Sequence, residues 1–511
     1  MNDELELEDE EYIDEDAVED FYDDTATMRK LPLLVEEWVT DVSKVSHHNE
    51  IPAAVICLVL LGQTVKDYIA IPTGTGVSED TRLHFCWIQS SGTGKSAMMN
   101  FALPVSRGIW EGINLSCGKI PNAHIDGVNL TRDLTEEEYF ENKELSNTPY
   151  EEYDNFDVVE YTAAALLGHQ SPFINYDGQP DWRWVKGELD GHGLARWDEF
   201  TNSGVFDTKQ QHKEGIITYL NTLMNTLHGE SWKITKKLKE GPPVVCHSER
   251  SILATTFPPK NLTTSIADTG LFQRMLLYIW IVPERIQDQI RDTIVDGFGV
   301  KTEKDLPIDY YVTKILEIFE LTKARFNEVG QDPNNTVTFS ADFHDALRLR
   351  KNDLTNWVDT TSGPVRDVAK NFMTRLLIML GKISVLMCVA DAPTKSKKDR
   401  FIVTSENVTQ SAHIVRYCYK ALVEWLEQSL KVTRDSLLKK ADLAVFFKTY
   451  ENMKNDTNNG LIGKNQYLNE VIETSGLKKA SVYNKWKKVE NEFIISKQGR
   501  SVFIKLRGEG K

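Results

Sequence analysis

The sequence has little of what marks a secreted, disulfide-bonded or membrane protein. It holds six cysteines in 511 residues and no C-x-x-C pair, which argues against a disulfide framework or a zinc ribbon and suits a reducing compartment. Its longest apolar run, 51–61, is shorter than the roughly 20 residues that span a bilayer and predicts a buried helix instead. The acidic N-terminus lacks the basic and apolar stretches of a signal peptide. We therefore expect a cytoplasmic protein that is not secreted and does not contact a membrane.

Basic residues are missing from the first 25 positions, which hold fourteen Asp and Glu. The chain carries a net charge of −17, so the remaining residues contribute only −3. A run of like charges cannot collapse on itself and predicts a disordered acidic tail over residues 1–26. Two interpretations are open: a solvated tail that aids solubility, or a segment that mimics nucleic acid or binds a basic replication partner.

The most informative motif is the loop Gln-Ser-Ser-Gly-Thr-Gly-Lys-Ser at 89–96. A strand-like apolar run precedes it at 83–88, and a helix-like run follows at 97–103. Backbone N–H groups of such a loop, together with the helix N-terminus, bind polyphosphates. The phosphates of ATP are expected to contact Gly92, Thr93, Gly94 and Lys95, with Mg²⁺ on the Ser96 hydroxyl. Gln89 stands where the usual pattern has its first glycine.

A pair of carboxylates follows the strand-like run 193–197. We expect Asp198 to hold Mg²⁺ with Ser96, and Glu199 to polarise the attacking water. Asp198 comes 103 residues after Lys95, a longer separation than a minimal core of this type needs. The polar and acidic stretch 106–190 is therefore predicted to be an insertion.

Three further strand signals lie at 243–246, 251–255 and 275–282. Thr255 and Thr256 end the second of them, where a polar residue commonly senses the terminal phosphate. Arg274 stands just before the third, a position that suits a finger reaching the nucleotide of a neighbouring subunit. Alternating helices and short apolar strands predict a parallel sheet with helices on both faces.

Two basic segments predict contact with nucleic acid. The first, 232–243, combines Trp232 with a Gly-Pro-Pro turn and the lysines Lys233, Lys236, Lys237 and Lys239. Lysines there would bind phosphates and the indole would stack on a base.

The second basic segment is the C-terminal region 464–511, with a net charge of +6. Its pattern is a helix-turn-helix over 467–486 followed by strands at 493–495 and 502–504, which is typical of a winged helix. The predicted phosphate contacts are Lys478, Lys479, Lys485 and Arg500. Winged helices also bind proteins, and that alternative is open.

The order of these motifs resembles the minichromosome maintenance branch of the AAA+ ring helicases. The resemblance rests on Asp-Glu-Phe at 198–200, the lysine-bearing segment at 234–237, Leu-Ala-Thr-Thr-Phe-Pro at 253–258 and Gln-Arg-Met at 273–275. The sequence is also similar to helicase proteins of phages and mobile elements. Phe257 departs from the pattern, since the ring helicases place a polar sensor before that proline. A lid arginine is implied, for which Arg366 and Arg375 are candidates.

The resemblance implies an α/β P-loop NTPase of AAA+ type, active as a homo-oligomer, usually a hexamer, on single-stranded or forked DNA. The implied regions are the acidic tail (1–26), a helical N-terminal region (27–80), the ATPase core (81–345), a helical lid (346–432) and a winged helix (433–511). The expected function is that of an ATP-dependent replicative DNA helicase or translocase of a virus or mobile element. The alternatives are an AAA+ replication initiator or helicase loader that does not unwind, and a DNA-binding adaptor with a degenerate nucleotide site.

Overall fold

The computed structural model describes residues 31–43, 50–74, 76–116, 153–157, 162–175, 178–200, 214–228, 233–236, 243–257, 270–296, 307–361, 363–439, 441–454, 457, 461–475, 478–490, 493–498 and 501–506. The predicted acidic tail lies outside these residues, as do Trp232, Lys237, Lys239 and Arg500.

Five parallel strands form the central sheet. They are β1 (Phe85–Gln89), β2 (Tyr153–Asp157), β3 (Gly191–Trp197), β4 (Val244–Thr256) and β5 (Leu276–Trp280). Their order across the sheet is β5-β1-β4-β3-β2, and the short strand Lys233–Lys236 pairs antiparallel with the beginning of β4. The prediction of a mixed α/β fold with a parallel sheet is confirmed.

The strands predicted at 243–246 and 251–255 form one continuous strand of 13 residues, β4. The polar residues between them indicated a break, but Arg250 is fully buried inside the sheet. Its guanidinium donates to the backbone carbonyls of Asp190, His192 and Asp154 and forms an ion pair with the Asp154 carboxylate. A polar side chain therefore occupies the interior because neighbouring strands supply all its acceptors.

The described residues also form helices. In chain order they are α1 (Leu33–Ser43), α2 (Glu50–Val65), α3 (Lys95–Ser116), α4 (Ala163–Leu167), α5 (Glu214–Leu223), α6 (Glu284–Asp296), α7 (Ile308–Glu328), α8 (Ala341–Thr360), α9 (Gly363–Ala390), α10 (Ser405–Lys439), α11 (Ala441–Lys454), α12 (Lys464–Ser475) and α13 (Lys479–Val489). Helix α2, predicted from the apolar run, is buried along its length from Ile51 to Val65. Helices α1, α2, α9 and most of α10 share one hydrophobic core with the sheet.

One helical segment of the described chain, Val365–Ala390, is long and apolar enough to cross a membrane by length and composition. Within this fold, 67% of its apolar window is buried. That burial is typical of the core helix of a soluble protein, because the side chains already have apolar partners.

Part of the stretch predicted as an insertion belongs to the core. Helix α3 runs from Lys95 to Ser116, and β2 pairs in parallel with β3 in the central sheet. Gly193 permits this pairing, because a Cβ atom there would lie 2.0 Å from the Asp154 carbonyl oxygen. An antiparallel hairpin of Gly168–Ile174 and Pro180–Lys186 lies between the two strands in sequence. The polar composition of the region concealed its strand.

The C-terminal residues form a second unit with its own hydrophobic core. Helices α11, α12 and α13 pack with an antiparallel sheet of Ile462–Gly463, Ser501–Leu506 and Phe493–Gln498, in that order. Tyr467 and Trp486 are buried against Phe493 at the centre, with ring centroids 5.7 Å and 5.1 Å from it. The two helices and two strands predicted here are therefore present.

Candidate functional site

The loop after β1 has the backbone shape that its glycines allow. Strand β1 is buried throughout and ends at Gln89, and α3 begins at Lys95. Gly92 and Gly94 adopt φ angles of 73° and 96°. Residues other than glycine rarely adopt this backbone conformation. The first turn of α3 is closed by a hydrogen bond of 3.2 Å from the Met98 N–H to the Gly94 carbonyl.

The Lys95 side chain folds back over this loop. Its ammonium donates to the carbonyl oxygens of Gln89 and Ser90, the second at 2.9 Å, and lies 5.1 Å from the centroid of the Phe257 ring. Partial burial lowers the Lys95 pKa to about 8, while the negative charge of Asp198 acts in the opposite direction. The ammonium is therefore held against the backbone of the 89–96 loop.

The two carboxylates lie at the same edge of the sheet, after β3. Asp198 and Glu199 are both exposed. The Thr255 hydroxyl donates to Asp198 Oδ1, and the Glu199 N–H donates to the same oxygen at 3.0 Å. Glu199 has a φ of 51°. The next residue, Phe200, is buried, and its N–H donates a hydrogen bond to the Thr255 carbonyl. The buried ring fixes a tight turn that presents both carboxylates to solvent.

The two predicted sensor residues are buried at the end of β4, with Thr255 4% and Thr256 2% exposed. The Thr255 hydroxyl donates a hydrogen bond to the Asp198 carboxylate. Thr255 thus orients a carboxylate, a contact that sequence reasoning did not anticipate. Because β4 lies between β1 and β3, the same residue stands between the loop and the carboxylates.

The residues at this edge suit a magnesium ion held through a nucleotide. Within the described chain, no cluster of three or more His, Cys, Asp or Glu could hold a metal alone. Mg²⁺ usually binds one or two carboxylates together with substrate phosphates and water. Ser96 is exposed in the first turn of α3 and Asp198 is exposed beyond β3, so one hydroxyl and one carboxylate are accessible.

Arg274 lies at the opposite edge of the sheet from Lys95. It precedes the amino end of β5, whose Leu276 is in register with Phe85 at the amino end of β1. Its Nη1 donates to the Gly270 carbonyl at 2.8 Å and to Asn221 at 3.2 Å, whereas its Nε has no hydrogen-bond partner among the described residues. The arginine is therefore not part of this chain's own phosphate loop.

Arg274 lines an opening with several other charged groups. The charged lining residues are Glu79, Arg82, Arg274, Arg375 and Lys382. The Lys382 ammonium lies 3.0 Å from the Glu79 carboxylate and the Arg375 guanidinium 4.0 Å from it. Burial and the positive charge of Arg375 lower the Arg274 pKa. Of the two lid candidates, Arg375 thus lies at this opening, while Arg366 donates to the Thr361 carbonyl at 3.3 Å.

The predicted nucleic-acid residues are described only in part. Lys233 and Lys236 lie in the strand that pairs with β4, but their side chains are outside the described atoms, and Lys237 and Lys239 lie outside the described residues. In the C-terminal unit, Lys478 and Lys479 are exposed at the start of α13 and Lys485 is half-buried further along it. Arg500, between the last two strands, is also outside the described residues.

Sequence reasoning missed the contacts of Gln89, which it treated only as a lost glycine. The side chain is fully buried and bonded to both Trp87 and Thr93. A glutamine at the end of an apolar strand is the signal that could have indicated a bonded, interior amide.

Neither a scan against models of known protein families nor a search of curated proteins found a match to this chain. The function is therefore inferred from the sequence motifs and the geometry of the site.

Proposed function

We propose that the chain is an ATP-driven translocase of AAA+ type, acting as the replicative DNA helicase of a virus or mobile element in the host cytoplasm. The observation that carries the proposal is the position of β4 between β1 and β3. This order brings Lys95, Thr255 and Asp198 to one edge of the sheet.

Each residue at this edge has a role in the proposed hydrolysis. Lys95 and the backbone N–H groups around Gly92 and Gly94 bind the phosphates of ATP. Ser96 and Asp198 hold Mg²⁺, which would neutralise phosphate charge when bound. Glu199, exposed one residue further on, takes the proton of the attacking water.

The proposed ring follows from the place of Arg274. Arg274 lies at the edge opposite to the loop of its own chain, and the proposal assigns it to the nucleotide of an adjacent subunit. Arg375 lies at the same opening, 4.0 Å from Glu79, and would face the same neighbour. A contact between different surfaces of identical chains closes into a ring when the rotation between neighbours permits it, and we propose a ring of six subunits.

Two basic surfaces supply the proposed track for DNA. The Lys233–Lys236 strand pairs antiparallel with the beginning of β4, and its lysines are proposed to contact DNA in the ring pore. The C-terminal unit follows the helix and strand order of a winged helix. Its exposed lysines at the start of α13, Lys478 and Lys479, lie where such domains contact phosphates. The acidic tail is proposed to bind a replication partner.

ATP hydrolysis with and without single-stranded DNA tests the proposal, with Lys95→Ala beside the wild type. We expect DNA to stimulate hydrolysis in the wild type and the variant to hydrolyse no ATP. Hydrolysis without displacement of a strand from forked DNA would favour an initiator or loader. Absence of hydrolysis in both proteins, with DNA binding indifferent to ATP, would favour the adaptor with a degenerate site.

A further inference from the structure

The amide of Gln89 joins β1 to the phosphate loop. Gln89 is fully buried. Its Oε1 accepts a hydrogen bond of 2.6 Å from the Trp87 indole, and its Nε2 donates one of 2.8 Å to the Thr93 hydroxyl. The strand and the middle of the loop, four residues apart, are thus connected through one side chain.

Only one orientation of this amide satisfies its partners. The Trp87 indole can only donate, so it requires the oxygen of Gln89, and the NH₂ group then faces Thr93. The Thr93 hydroxyl, having accepted that bond, donates its own proton to the Ser90 carbonyl at 2.7 Å. Four groups therefore form a directed chain of hydrogen bonds from the indole to the loop backbone.

Glycine is not required at position 89. Among the described residues, those other than glycine with positive φ are Glu199, Gln331 and Phe401, so Gln89 has an ordinary backbone conformation. The left-handed positions of the loop are Gly92 and Gly94, which flank Thr93 on both sides. Because these two glycines are free to rotate, a fixed Thr93 is what restricts the loop between them.

We propose that Gln89 is a positioning residue that holds the phosphate loop in its binding shape before the nucleotide arrives. It acts through Thr93 and not through contact with the phosphates. Its backbone carbonyl also accepts from the Lys95 ammonium, so one residue orients both the middle of the loop and its lysine. The nucleotide as ligand rests on the proposed function; the hydrogen-bonded tie does not.

The first test measures the nucleotide-free protein. Amide hydrogen exchange of the loop peptide covering residues 90–96 is compared for the wild type, Gln89→Met, Thr93→Val and the double variant. We expect both single variants to exchange faster by about tenfold, as befits the loss of one or two buried hydrogen bonds. The double variant should exchange no faster than Thr93→Val, because that variant already removes the Gln89–Thr93 bond together with the Thr93–Ser90 bond. Thr93→Ser, which keeps the hydroxyl, should exchange at about the wild-type rate.

The second test measures binding and turnover. A fluorescent ATP analogue is titrated against the wild type and Gln89→Met, and kcat is determined at saturating ATP. We expect the Kd to rise by roughly tenfold while kcat changes by less than about threefold, because the loop reaches its bound shape once ATP is present.

The outcomes separate the two proposals. Unchanged loop exchange in Gln89→Met, or additive effects in the double variant, would overturn the role of Gln89 whether or not the chain binds ATP. Failure of the wild type to bind the analogue would overturn the proposed function, and faster loop exchange would still establish the tie. If Gln89→Met does not fold, Gln89→Leu takes its place, because Thr93→Val also removes the Thr93–Ser90 bond and does not isolate the role of Gln89.

Discussion

The Thr255 hydroxyl donates a hydrogen bond to the Asp198 carboxylate, joining the carboxyl ends of β4 and β3. A charge-assisted bond of this kind fixes the direction in which the carboxylate presents its second oxygen. The end of the middle strand therefore controls the geometry of the proposed metal ligand, although Thr255 is almost fully buried.

Replacing Thr255 by Val should lower Mg²⁺-dependent ATP hydrolysis by roughly 10- to 100-fold, since a hydrogen bond to a charged group contributes about 1.5–3 kcal/mol. Asp198→Asn should remove hydrolysis because the proposed ligand charge is lost. Thr255→Ser is the matched control and should keep most of the activity. Full activity of Thr255→Val in a steady-state assay would show that the bond does not matter for turnover.

Nucleotide binding should weaken as the pH rises above about 8. Burial lowers the Lys95 pKa to about 8 in the nucleotide-free protein, so the cation that attracts phosphate is present below that pH and is lost above it. Affinity for an ATP analogue should fall by up to about tenfold per pH unit beyond this point. Lys95→Ala should bind weakly and show no such dependence. A wild-type affinity that is constant from pH 7 to pH 9.5 would contradict the prediction.

Glu199→Gly should separate stability from activity. The φ of 51° at Glu199 is a left-handed conformation that costs a residue with a Cβ about 1–2 kcal/mol, part of which glycine loses again in chain entropy. We expect the variant to unfold at the same or a higher temperature and to hydrolyse no ATP. Gln331→Gly is the matched control, because Gln331 has a φ of 62° in an exposed turn. Gln331→Gly should gain similar stability and hydrolyse ATP at the wild-type rate. A Glu199→Gly protein that unfolds at a clearly lower temperature than the wild type would exclude backbone strain at this turn.

Mixed assemblies test whether Arg274 acts on a neighbouring subunit. Arg274→Ala and Lys95→Ala should each abolish hydrolysis alone, because one lacks the arginine and the other the phosphate loop. Mixing the two proteins should restore part of the activity, since a Lys95→Ala subunit still offers its arginine to an intact loop next door. Mixtures that stay inactive while both proteins assemble would argue against a role in trans.

Loss of the Arg250 side chain should destabilise the central sheet strongly. Arg250→Ala would leave the acceptors on Asp154, Asp190 and His192 without their donor, and removing one partner of a buried ion pair costs roughly 3–5 kcal/mol. Thermal unfolding should therefore begin at a markedly lower temperature. Arg348→Ala, which removes an exposed arginine and its pair with Asp345, should change the unfolding temperature little.

The sequence predicted those elements whose patterns are local. The phosphate loop, β1, β3, β5 and the apolar helices all have short runs of apolar residues bounded by glycine or polar turns. The continuity of β4 could not be predicted in this way. It depends on acceptors that approach Arg250 from Asp154 and Asp190, 96 and 60 residues away in the chain.

The candidate site likewise has features that local sequence patterns indicate and features that depend on distant residues. Its residues were chosen because binding of phosphate and magnesium requires lysine, hydroxyl and carboxylate groups, and their roles stay a prediction. Which edge of the sheet each residue occupies followed only from strand order, and so Arg274 was separated from Lys95 by the fold. The hydrogen bonds of Gln89 and Thr255 could not be predicted, because each depends on the side-chain geometry of a partner.

The length of β4 has a mechanical consequence. Its 13 residues extend roughly 40 Å at the rise of a parallel strand. Near its beginning the strand carries the Lys233–Lys236 partner, and at its end it carries Thr255. A hydrogen-bonded strand clamped at its middle by Arg250 cannot stretch, so a push on one end is delivered to the other as a displacement. One continuous strand thus links its antiparallel partner Lys233–Lys236 at one end to the Thr255–Asp198 contact at the other, so a shift of either end along the strand direction would move both.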